Sequence, residues 1–469
     1  MNMAAQSGGA MSPRGAVDSS GHSLAIFTAL YELTMSQAWW QSGNAHDATF
    51  SLFIRRFPPN RSYFVLAGVH DILDYLTDFR FTDEDIAYLG SLGRFDGGFL
   101  EYLADLRFTG SVRAMREGEI FFADEPVMEI SGPVIECQIL ENYVINRVSL
   151  QTMLATKAAR VMHAARGRPV TYYGSRRAPG VDAAGQMARV GFMTGFAGTG
   201  NVLAAAQHGI PPMGTMAHSF VGSFPTELDA FRAFARSFPD ASTFLIDTYD
   251  PIEGARNAIT VALEMKEAGH RLGAVRLDSG DLLNLSRRVR AMLDGAGLED
   301  VDIVASGELD EFVIDSLLRD GAPIAGFGVG TRIGSSADAP WTDSVYKLVE
   351  YAGEPVLKLS VGKETLPGRK QIYRHEDKNN GYARDVIAMA DEPPPDGAAS
   401  LLEDVMQDGQ VLRNHPTLDE SRDLFQRGFA ALPEDVRTLT GAATYPVEIS
   451  SALAELQTRM TEAAHPGAR

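Results

Sequence analysis

Residues 242–282 read STFLIDTYDPIEGARNAITVALEMKEAGHRLGAVRLDSGDL, and this stretch predicts the fold of the middle of the chain. Its outer parts, STFLIDT and LGAVRLD, are short apolar runs that end in polar residues, a pattern typical of buried strands. A helix is expected between them, from about Ile252 to Gly269, and its apolar residues share one face: Ile252, Ala255, Ile259, Ala262 and Leu263. A strand, an amphipathic helix and a second strand in this order predict a parallel βα unit.

The same alternation continues on both sides of this stretch. The further predicted strands are PVTYYG (169–174), MGTMAH (213–218), VDIVAS (301–306) and IAGFGVG (324–330). Further helices are expected over about 182–196, 226–238, 281–293 and 308–318. The series therefore predicts an α/β domain built from consecutive βα units.

Polar residues follow each predicted strand at the point where it ends. The groups are Ser175 to Arg177, Thr215 to Ser219, Asp247 with Thr248, Arg276 to Asp278, Ser306 with Gly307, and Gly328 to Thr331. In a (β/α) barrel the carboxyl ends of the strands meet at one mouth, whereas an open sheet spreads them along an edge. Six polar groups at six strand ends favour a barrel-like domain.

The rest of the chain predicts a second domain around this one. Residues 1–22 are rich in glycine, serine and alanine and are predicted to be a disordered tail. Residues 23–150 form a predicted N-terminal α+β domain, 151–340 the barrel-like domain, and 341–445 a segment that packs with the N-terminal domain. A C-terminal helix and tail occupy 446–469. The expected fold class is thus α/β, with a second α+β domain formed by the two flanks.

Composition excludes several classes of function. The chain has 469 residues and a formal net charge of −19, and no basic run long enough to bind a nucleic acid backbone. The single cysteine, Cys137, permits neither an internal disulfide nor a cysteine-ligated zinc site, and is expected to be buried. Without a signal peptide or a membrane span, the cytosol is the expected location.

The segment VRLDSGDL (275–282) places Arg276, Asp278 and Asp281 at a predicted strand end. One interpretation is structural: Asp278 or Ser279 caps the following helix by accepting its free backbone N–H groups. A cap accounts for one of these residues and leaves an arginine and a second carboxylate unexplained. The arrangement favours a functional site.

Three other segments have both a functional and a structural interpretation. FGVGTRIG (327–334) lacks the third glycine of a dinucleotide fingerprint, since Ile333 stands there, and is either a phosphate-binding turn or a simple tight turn. YYGSRR (172–177) pairs arginines that suit a phosphate with tyrosines that suit a flat ligand, or is a surface turn. His218 is either a hydrogen-bonded structural residue or a catalytic one.

Taken together, the motifs resemble those of the nicotinate phosphoribosyltransferase family. The segments that carry the resemblance run in order from about residue 30 to 374: LYELTMSQAWW, ATFSLFIRRFPPNRSYFVLAG, GTGNVLAAAQHGIPPMGTMAHSF, FLIDTYDPIEGARNAI, VRLDSGDL, IVASGELDEF, FGVGTRIG and TLPGRKQIYR. The resemblance implies that nicotinate attacks phosphoribosyl pyrophosphate to give nicotinate mononucleotide and pyrophosphate, towards NAD. It also implies coupling to ATP hydrolysis through a phosphohistidine, a requirement for Mg²⁺, and a homodimer with its active site near the interface.

The resemblance also implies a role for individual residues. His218 is the expected phosphoacceptor, and Asp278 is expected to stabilise the positive charge that develops on the ribose. Nicotinate is expected to contact Tyr31, Tyr173, Thr215 and Arg276. Phosphoribosyl pyrophosphate is expected to contact Arg176, Ser306, Gly307, Gly328, Gly330 and Thr331.

This chain departs from the family pattern at two positions. Tyr173 stands where relatives usually have phenylalanine, and Gly200 stands in GTGN where they usually have serine. Relatives specific for nicotinamide place aspartate at the latter position, so Gly200 predicts a preference for the acid. Two alternatives remain from the sequence: a nicotinamide phosphoribosyltransferase, and a non-catalytic phosphate-binding regulator on the same fold.

Overall fold

The computed structural model describes residues 22–360 and 364–464. The chain divides into two compact units: the first comprises Met1–Thr156 with Trp341–Arg469, and the second Lys157–Pro340. Of the predicted disordered tail, residues 1–21 lie outside the described residues, as do residues 465–469 of the predicted C-terminal tail.

The helices and strands follow one another along the chain in three groups. Up to the end of the first long helix they are α1 Leu30–Ser42, β1 Asp47–Ile54, β2 Phe64–Val65, α2 Val69–Thr77, α3 Asp83–Ser91, α4 Gly97–Asp105, β3 Ser111–Ala114, β4 Ile120–Phe121, β5 Pro126–Pro133, α5 Val134–Ile139 and α6 Glu141–Ala165. The middle elements are β6 Val170–Tyr172, α7 Val181–Met193, β7 Gly198–Thr199, α8 Val202–His208, α9 His218–Gly222, α10 Glu227–Ser237, β8 Thr243–Leu245, α11 Pro251–Glu267, β9 Ala274–Leu277, α12 Leu282–Gly295, β10 Asp302–Ala305, α13 Glu311–Arg319, β11 Gly326–Val329 and α14 Thr331–Gly334. The last group is β12 Ser344–Tyr351, β13 Glu354–Pro355, β14 Lys370–Glu376, β15 Tyr382–Met389, β16 Ala399–Ser400, β17 Glu403–Gln407, β18 Gln410–Val411, α15 Leu418–Ala431, β19 Val447–Ile449 and α16 Ser451–Ala464.

The first unit is built on a seven-stranded sheet that contains strands from both flanks. Its order is β13-β12-β1-β5-β3-β17-β18. β1 pairs antiparallel with both β5 and β12, and β3 pairs antiparallel with β17. A four-stranded sheet of order β16-β14-β15-β19 and the short β2-β4 pair complete the unit. Cys137 is buried on α5 among apolar side chains, as expected.

The second unit contains a six-stranded sheet of order β7-β6-β11-β10-β9-β8, and all of its strands run parallel. The βα alternation and the parallel pairing confirm the predicted α/β class. The sheet forms half of a barrel: among the described residues the edge strands β7 and β8 are not paired with each other. The carboxyl ends of these strands lie at one side of the sheet and carry five of the six polar groups identified in the sequence.

One predicted strand is wrong. Residues 213–218 (MGTMAH) form no strand, and the edge strand of the sheet is β7 at Gly198–Thr199 instead. Residues 211–214 are exposed, and only Pro212 forms an isolated bridge, to Thr199. The apolar methionines give this segment the sequence pattern of a buried strand. The two prolines before them lack backbone N–H groups and so limit pairing with a sheet. His218 instead begins the short helix α9.

Aspartates cap the three helices that follow β8, β9 and β10. Asp250 accepts hydrogen bonds from the first N–H groups of α11, Asp281 from Asn284 N of α12, and Asp310 from Phe312 N and Val313 N of α13. The predicted alternative that Asp278 or Ser279 caps α12 is therefore wrong, because Asp281 fills that position. Asp278 consequently needs another explanation.

An apolar cluster supports these strand ends from behind. Phe231 of α10 stacks on Phe244 of β8 with ring centroids 4.7 Å apart, and Val275 and Ile303 are buried in the same cluster. Helices α10, α11 and α12 contribute its outer part. No helix in the described ranges has the length and apolar character needed to cross a membrane.

Candidate active site

A cavity of about 840 Å³ opens at the carboxyl ends of the parallel strands in the second unit. All predicted site residues except Tyr31 line it: Tyr173, Arg176, Thr215, His218, Arg276, Asp278, Ser306, Gly307, Gly328, Gly330 and Thr331. They come from the ends of four strands and from the segments that follow them, and they converge because parallel strands end on the same side of the sheet.

Tyr173 follows β6 and lines the cavity between two glycines of neighbouring strands. The ideal Cβ position at Gly200 lies 2.9 Å from Tyr173 Cδ1, and that at Gly328 lies 2.7 Å from both Cδ2 and Cε2 on the other side of the ring. Burial raises the pKa of the Tyr173 phenol, an effect that the positive charge of Arg276 opposes. The phenol is therefore neutral near pH 7 and can donate a hydrogen bond.

Arg276 lies at the end of β9 and is held by Thr215. Its Nη1 donates to Thr215 Oγ1 over 2.6 Å. Its Nε is buried and has no hydrogen-bond partner within the described part of the chain, and the guanidinium forms no ion pair with a described carboxylate. A buried cationic donor without an acceptor is costly unless a ligand supplies one, so Arg276 suits an anionic ligand group.

Asp278 follows β9 and is held by groups at the ends of the two neighbouring strands, β8 and β10. Its Oδ1 accepts a hydrogen bond of 2.5 Å from Ser306 Oγ, and its backbone N–H donates to Asp247 Oδ2 over 2.9 Å. Ser279 Oγ donates to the same Asp247 oxygen over 2.6 Å. Because these contacts fix the loop, the Asp278 carboxylate keeps one orientation in the cavity while remaining 35% exposed.

Gly307 allows the loop after β10 to approach Asp278 closely. Its φ is +88°, and a Cβ there would lie 1.8 Å from the carbonyl oxygen of Asp278. A residue with a side chain does not fit this approach, so the backbone geometry alone explains why glycine stands at position 307, whether or not it contacts a ligand. The next residue, Glu308, is also left-handed, with φ +50°, and lines the cavity.

His218 is the first residue of α9 and is half-exposed, with 47% of its side chain accessible. Its Nδ1 lies at hydrogen-bond distance, 3.2 Å, from Thr248 Oγ1, and its Nε2 lies 3.8 Å from Asp278 Oδ2. The imidazole therefore borders both the cavity and the carboxylate predicted to act in it. Thr248 anchors the ring by its other nitrogen.

Two more arginines, Arg176 and Arg177, line the cavity on the short 3-10 helix after β6. Neither forms an ion pair with a carboxylate in the described ranges. Gly330 lies beside the start of this helix, since the ideal Cβ position of Gly174 is 2.7 Å from its carbonyl oxygen, and Thr331 begins α14. Unpaired guanidinium groups beside free backbone N–H groups form an environment that suits phosphates.

Two of the predicted contacts stay untested. Gly328 lies inside β11 and packs against Tyr173, so its contribution to a phosphate-binding turn stays a prediction. Tyr31 belongs to the first unit, on α1, with 49% of its surface exposed. Its predicted contact with nicotinate also stays a prediction.

Sequence reasoning assigned no role to three residues that the structure brings to the site: Asp247, Thr248 and Glu308. The available signal for Asp247 and Thr248 is their position as polar residues at the end of a predicted strand. What the sequence does not contain is the pairing of Asp247 with the backbone of Asp278, or of Thr248 with His218, because both join neighbouring loops about thirty residues apart.

The cavity fits Mg²⁺ only as a partner of phosphate. No group of three or more His, Cys, Asp or Glu side chains within the described ranges could hold a metal ion. Two carboxylates line the cavity, Asp278 and Glu308. Mg²⁺ is commonly bound through one or two carboxylates together with substrate phosphates and water, so these residues are compatible with an ion that arrives with its substrate.

Comparisons with known proteins agree along most of the chain. Residues 26–149 match the family model of the nicotinate phosphoribosyltransferase N-terminal domain, 170–374 that of the nicotinate phosphoribosyltransferase family, and 396–457 that of its C-terminal domain. Nicotinate phosphoribosyltransferase pncB2 of Mycobacterium tuberculosis is 47% identical over 454 residues, which cover 95% of this chain and 96% of the relative. The enzyme of that name from Bacillus subtilis is 37% identical over 460 residues, covering 91% and 93% of the two chains.

A solved structure gives the same result at the level of the fold. The crystal structure of human nicotinic acid phosphoribosyltransferase superposes with a TM-score of 0.83 at 31% sequence identity, covering 92% of this chain and 99% of the human one. The order of motifs, the half-barrel with its polar cavity, and the matches over nearly the whole length agree: this chain belongs to the nicotinate phosphoribosyltransferase family.

Proposed function

We propose that this protein transfers the phosphoribosyl group of phosphoribosyl pyrophosphate to nicotinate, giving nicotinate mononucleotide and pyrophosphate for NAD biosynthesis. We further propose that the reaction is coupled to ATP hydrolysis through phosphorylation of His218, with Mg²⁺ bound to the phosphates. Relatives that carry the name nicotinate phosphoribosyltransferase over almost the full length support the reaction.

The choice of substrate rests on one observation, which is that the guanidinium of Arg276 lacks an acceptor. It is a strand-end cation with a buried, unpartnered Nε and no ion pair among the described residues, and it lines the same cavity as Tyr173. A flat aromatic acid satisfies both groups, because its carboxylate supplies the missing acceptor while its ring packs on the tyrosine. A neutral amide offers Arg276 a carbonyl oxygen without the compensating charge.

The bond changes place opposite charges in different parts of the cavity. The nitrogen lone pair of nicotinate forms the new bond to the anomeric carbon, and pyrophosphate leaves with the electron pair of the bond that breaks. Positive charge develops on the ribose, where the oriented carboxylate of Asp278 stabilises it. Negative charge increases on pyrophosphate, where Arg176 and Arg177 offset it, and a Mg²⁺ ion bound with the phosphates would supply further positive charge.

His218 is well placed to take a phosphoryl group from ATP. Its imidazole is exposed, borders the cavity and is oriented by Thr248. In the proposed cycle a ring nitrogen receives the γ-phosphoryl group, ADP leaves, and water later releases phosphate from the histidine. This phosphorylation assists binding and does not itself cleave the glycosidic bond.

The remaining expectations are proposals of the same kind. We infer a homodimer in the cytoplasm, with small-molecule substrates and with neither a nucleic acid nor a membrane as partner. The acidic net charge of −19 and the lack of a described membrane-crossing helix are compatible with this inference.

The deciding experiment incubates the purified protein with phosphoribosyl pyrophosphate, Mg²⁺ and either nicotinate or nicotinamide, with and without ATP, and separates the mononucleotide products. Nicotinate mononucleotide formation, stimulated by ATP, supports the proposal. Product from nicotinamide alone identifies the amide enzyme instead, and binding of phosphoribosyl pyrophosphate without any product identifies a regulator.

Arg276→Gln provides the matched test of the substrate assignment. Losing one partner of a buried charge pair costs about 2–5 kcal/mol, so kcat/KM for nicotinate should fall at least ~30-fold. The KM for phosphoribosyl pyrophosphate should change little. An unchanged preference for nicotinate over nicotinamide in this variant contradicts the role of Arg276.

A further inference from the structure

Tyr173 is confined on two opposite sides by residues that lack a side chain. Its Cδ1 and Cε1 face Gly200, whose ideal Cβ position lies 2.9 and 3.5 Å from them. Its Cδ2 and Cε2 face Gly328, whose ideal Cβ position lies 2.7 Å from both. Carbon atoms in ordinary contact are about 3.5–4.0 Å apart, so a methyl group at either position overlaps the ring.

The confinement comes from the order of the strands in the sheet. β6, which precedes Tyr173, lies between β7 and β11. Gly200 directly follows β7, and Gly328 belongs to β11, so each neighbouring strand supplies one glycine beside the ring. A larger residue on either strand would occupy the space that the ring now fills.

The two glycines do not have equally simple surroundings. Of the three atoms nearest to the Cβ position of Gly200, two belong to the Tyr173 ring and the third is the carbonyl oxygen of Met213, at 3.5 Å. A Cβ at Gly328 would also lie 3.2 Å from Ser306 Cβ, and Ser306 holds Asp278. A substitution of Gly200 therefore meets the ring first, whereas one of Gly328 also disturbs Ser306, which holds the carboxylate.

Neither glycine is explained by backbone conformation. Both lack the left-handed φ that favours glycine at other positions of the chain, such as Gly307. The absence of a side chain matters here because of the space beside it. Both positions would otherwise accept alanine without backbone strain.

We propose that Gly200 and Gly328 are positioning residues that hold the Tyr173 ring in place and thereby set where the aromatic ring of the substrate lies. This inference rests on the proposed function for its substrate and extends it to two residues that do not themselves bind that ring. Gly200 acts through Tyr173, not by a contact of its own with the carboxylate or amide of the substrate.

The proposal predicts that substitution of Gly200 weakens the binding of nicotinate and leaves the binding of phosphoribosyl pyrophosphate nearly unchanged. In Gly200→Ala the ring has to move by about 1 Å to regain an ordinary contact distance. Since well-placed aromatic pairs contribute about 0.5–1.5 kcal/mol, KM for nicotinate should rise up to ~10-fold. KM for phosphoribosyl pyrophosphate should change less than twofold. Gly185→Ala is the matched control, because Gly185 lies on α7 with no atom within 4 Å of its Cβ position.

A double-mutant cycle isolates the contact between the glycine and the ring. Tyr173→Ala removes the ring, so adding Gly200→Ala to it should raise KM for nicotinate less than twofold further. An equal cost of Gly200→Ala with and without the ring overturns the proposal, because the glycine then acts by another route.

Crystal structures of the native protein and Gly200→Ala separate this proposal from the proposed function. A shifted Tyr173 ring in the variant supports the positioning role even if the native protein fails to use nicotinate, a result that refutes only the substrate assignment. A Tyr173 ring that keeps its place while the backbone at residue 200 moves overturns the positioning role even if nicotinate is the substrate.

Discussion

Asp278 and Asp281 lie three residues apart on the same loop and are predicted to respond to substitution in opposite ways. Asp281 caps α12 by accepting from Asn284 N, and its side chain does not line the cavity. Asp278 lines the cavity, and its Oδ1 accepts a hydrogen bond of 2.5 Å from Ser306 Oγ. It does not cap the helix. One residue therefore affects folding, and the other affects turnover.

These contacts determine the expected changes in turnover and in the midpoint of thermal unfolding. Asp278→Asn keeps an oxygen for Ser306 but removes the negative charge beside the ribose, and loss of one such preorganised group lowers turnover by ~10²–10³. Its thermal unfolding midpoint should stay within about 1 °C of the native value, since no cap is lost. Asp281→Ala removes the cap and should lower the midpoint by about 2–4 °C, with turnover within twofold of native.

The assay measures kcat for nicotinate mononucleotide formation and the midpoint of thermal unfolding on the same preparations. Circular dichroism confirms that each variant is folded before kinetics are compared. Near-native turnover in folded Asp278→Asn refutes the charge-stabilising role. A large loss of turnover in Asp281→Ala refutes the assignment of stability to Asp281 and turnover to Asp278, because removing the helix cap then also disturbs catalysis.

Three further predictions concern other parts of the molecule. His218→Asn should abolish both an acid-labile phosphate on the protein and ATP hydrolysis, while slow ATP-independent transfer survives; ATP hydrolysis that persists contradicts the phosphoacceptor role. Gly200→Asp should weaken nicotinate use by ~10² beyond Gly200→Ala, because like charges in a desolvated pocket cost several kcal/mol; equal specificity constants for the two variants rule out a charge effect there. Glu125 is fully buried, and burial raises its pKa well above the usual 4.5, so its contribution to stability is present below pH 4.5 and is lost as pH rises through the raised value. Glu125→Gln should therefore increase the free energy of unfolding at pH 8 and change it little at pH 4, as measured by urea titration; a pH-independent difference contradicts this origin.

Much of the second unit could be predicted because its local pattern agrees with its tertiary structure. Strands such as β8 and β9 are buried on both faces and read as apolar runs, and α11 carries one apolar face against them. The convergence of the site residues could also be predicted, since all parallel strands place their carboxyl ends on one side. The strand predicted at residues 213–218 failed because Met213 and Met216 are apolar without belonging to the sheet.

The sequence by itself determined the order of βα units, the strand-end positions of Arg276 and Asp278, and the family to which the chain belongs. Only the tertiary structure decided which aspartate caps α12 and which carboxylate remains for chemistry, because capping depends on where the helix begins. It alone also paired Asp247 with Asp278, anchored His218 through Thr248, and placed Gly200 and Gly328 on either side of Tyr173. These contacts join neighbouring strands and loops, and distances across a sheet depend on strand order, which no local pattern of residues specifies.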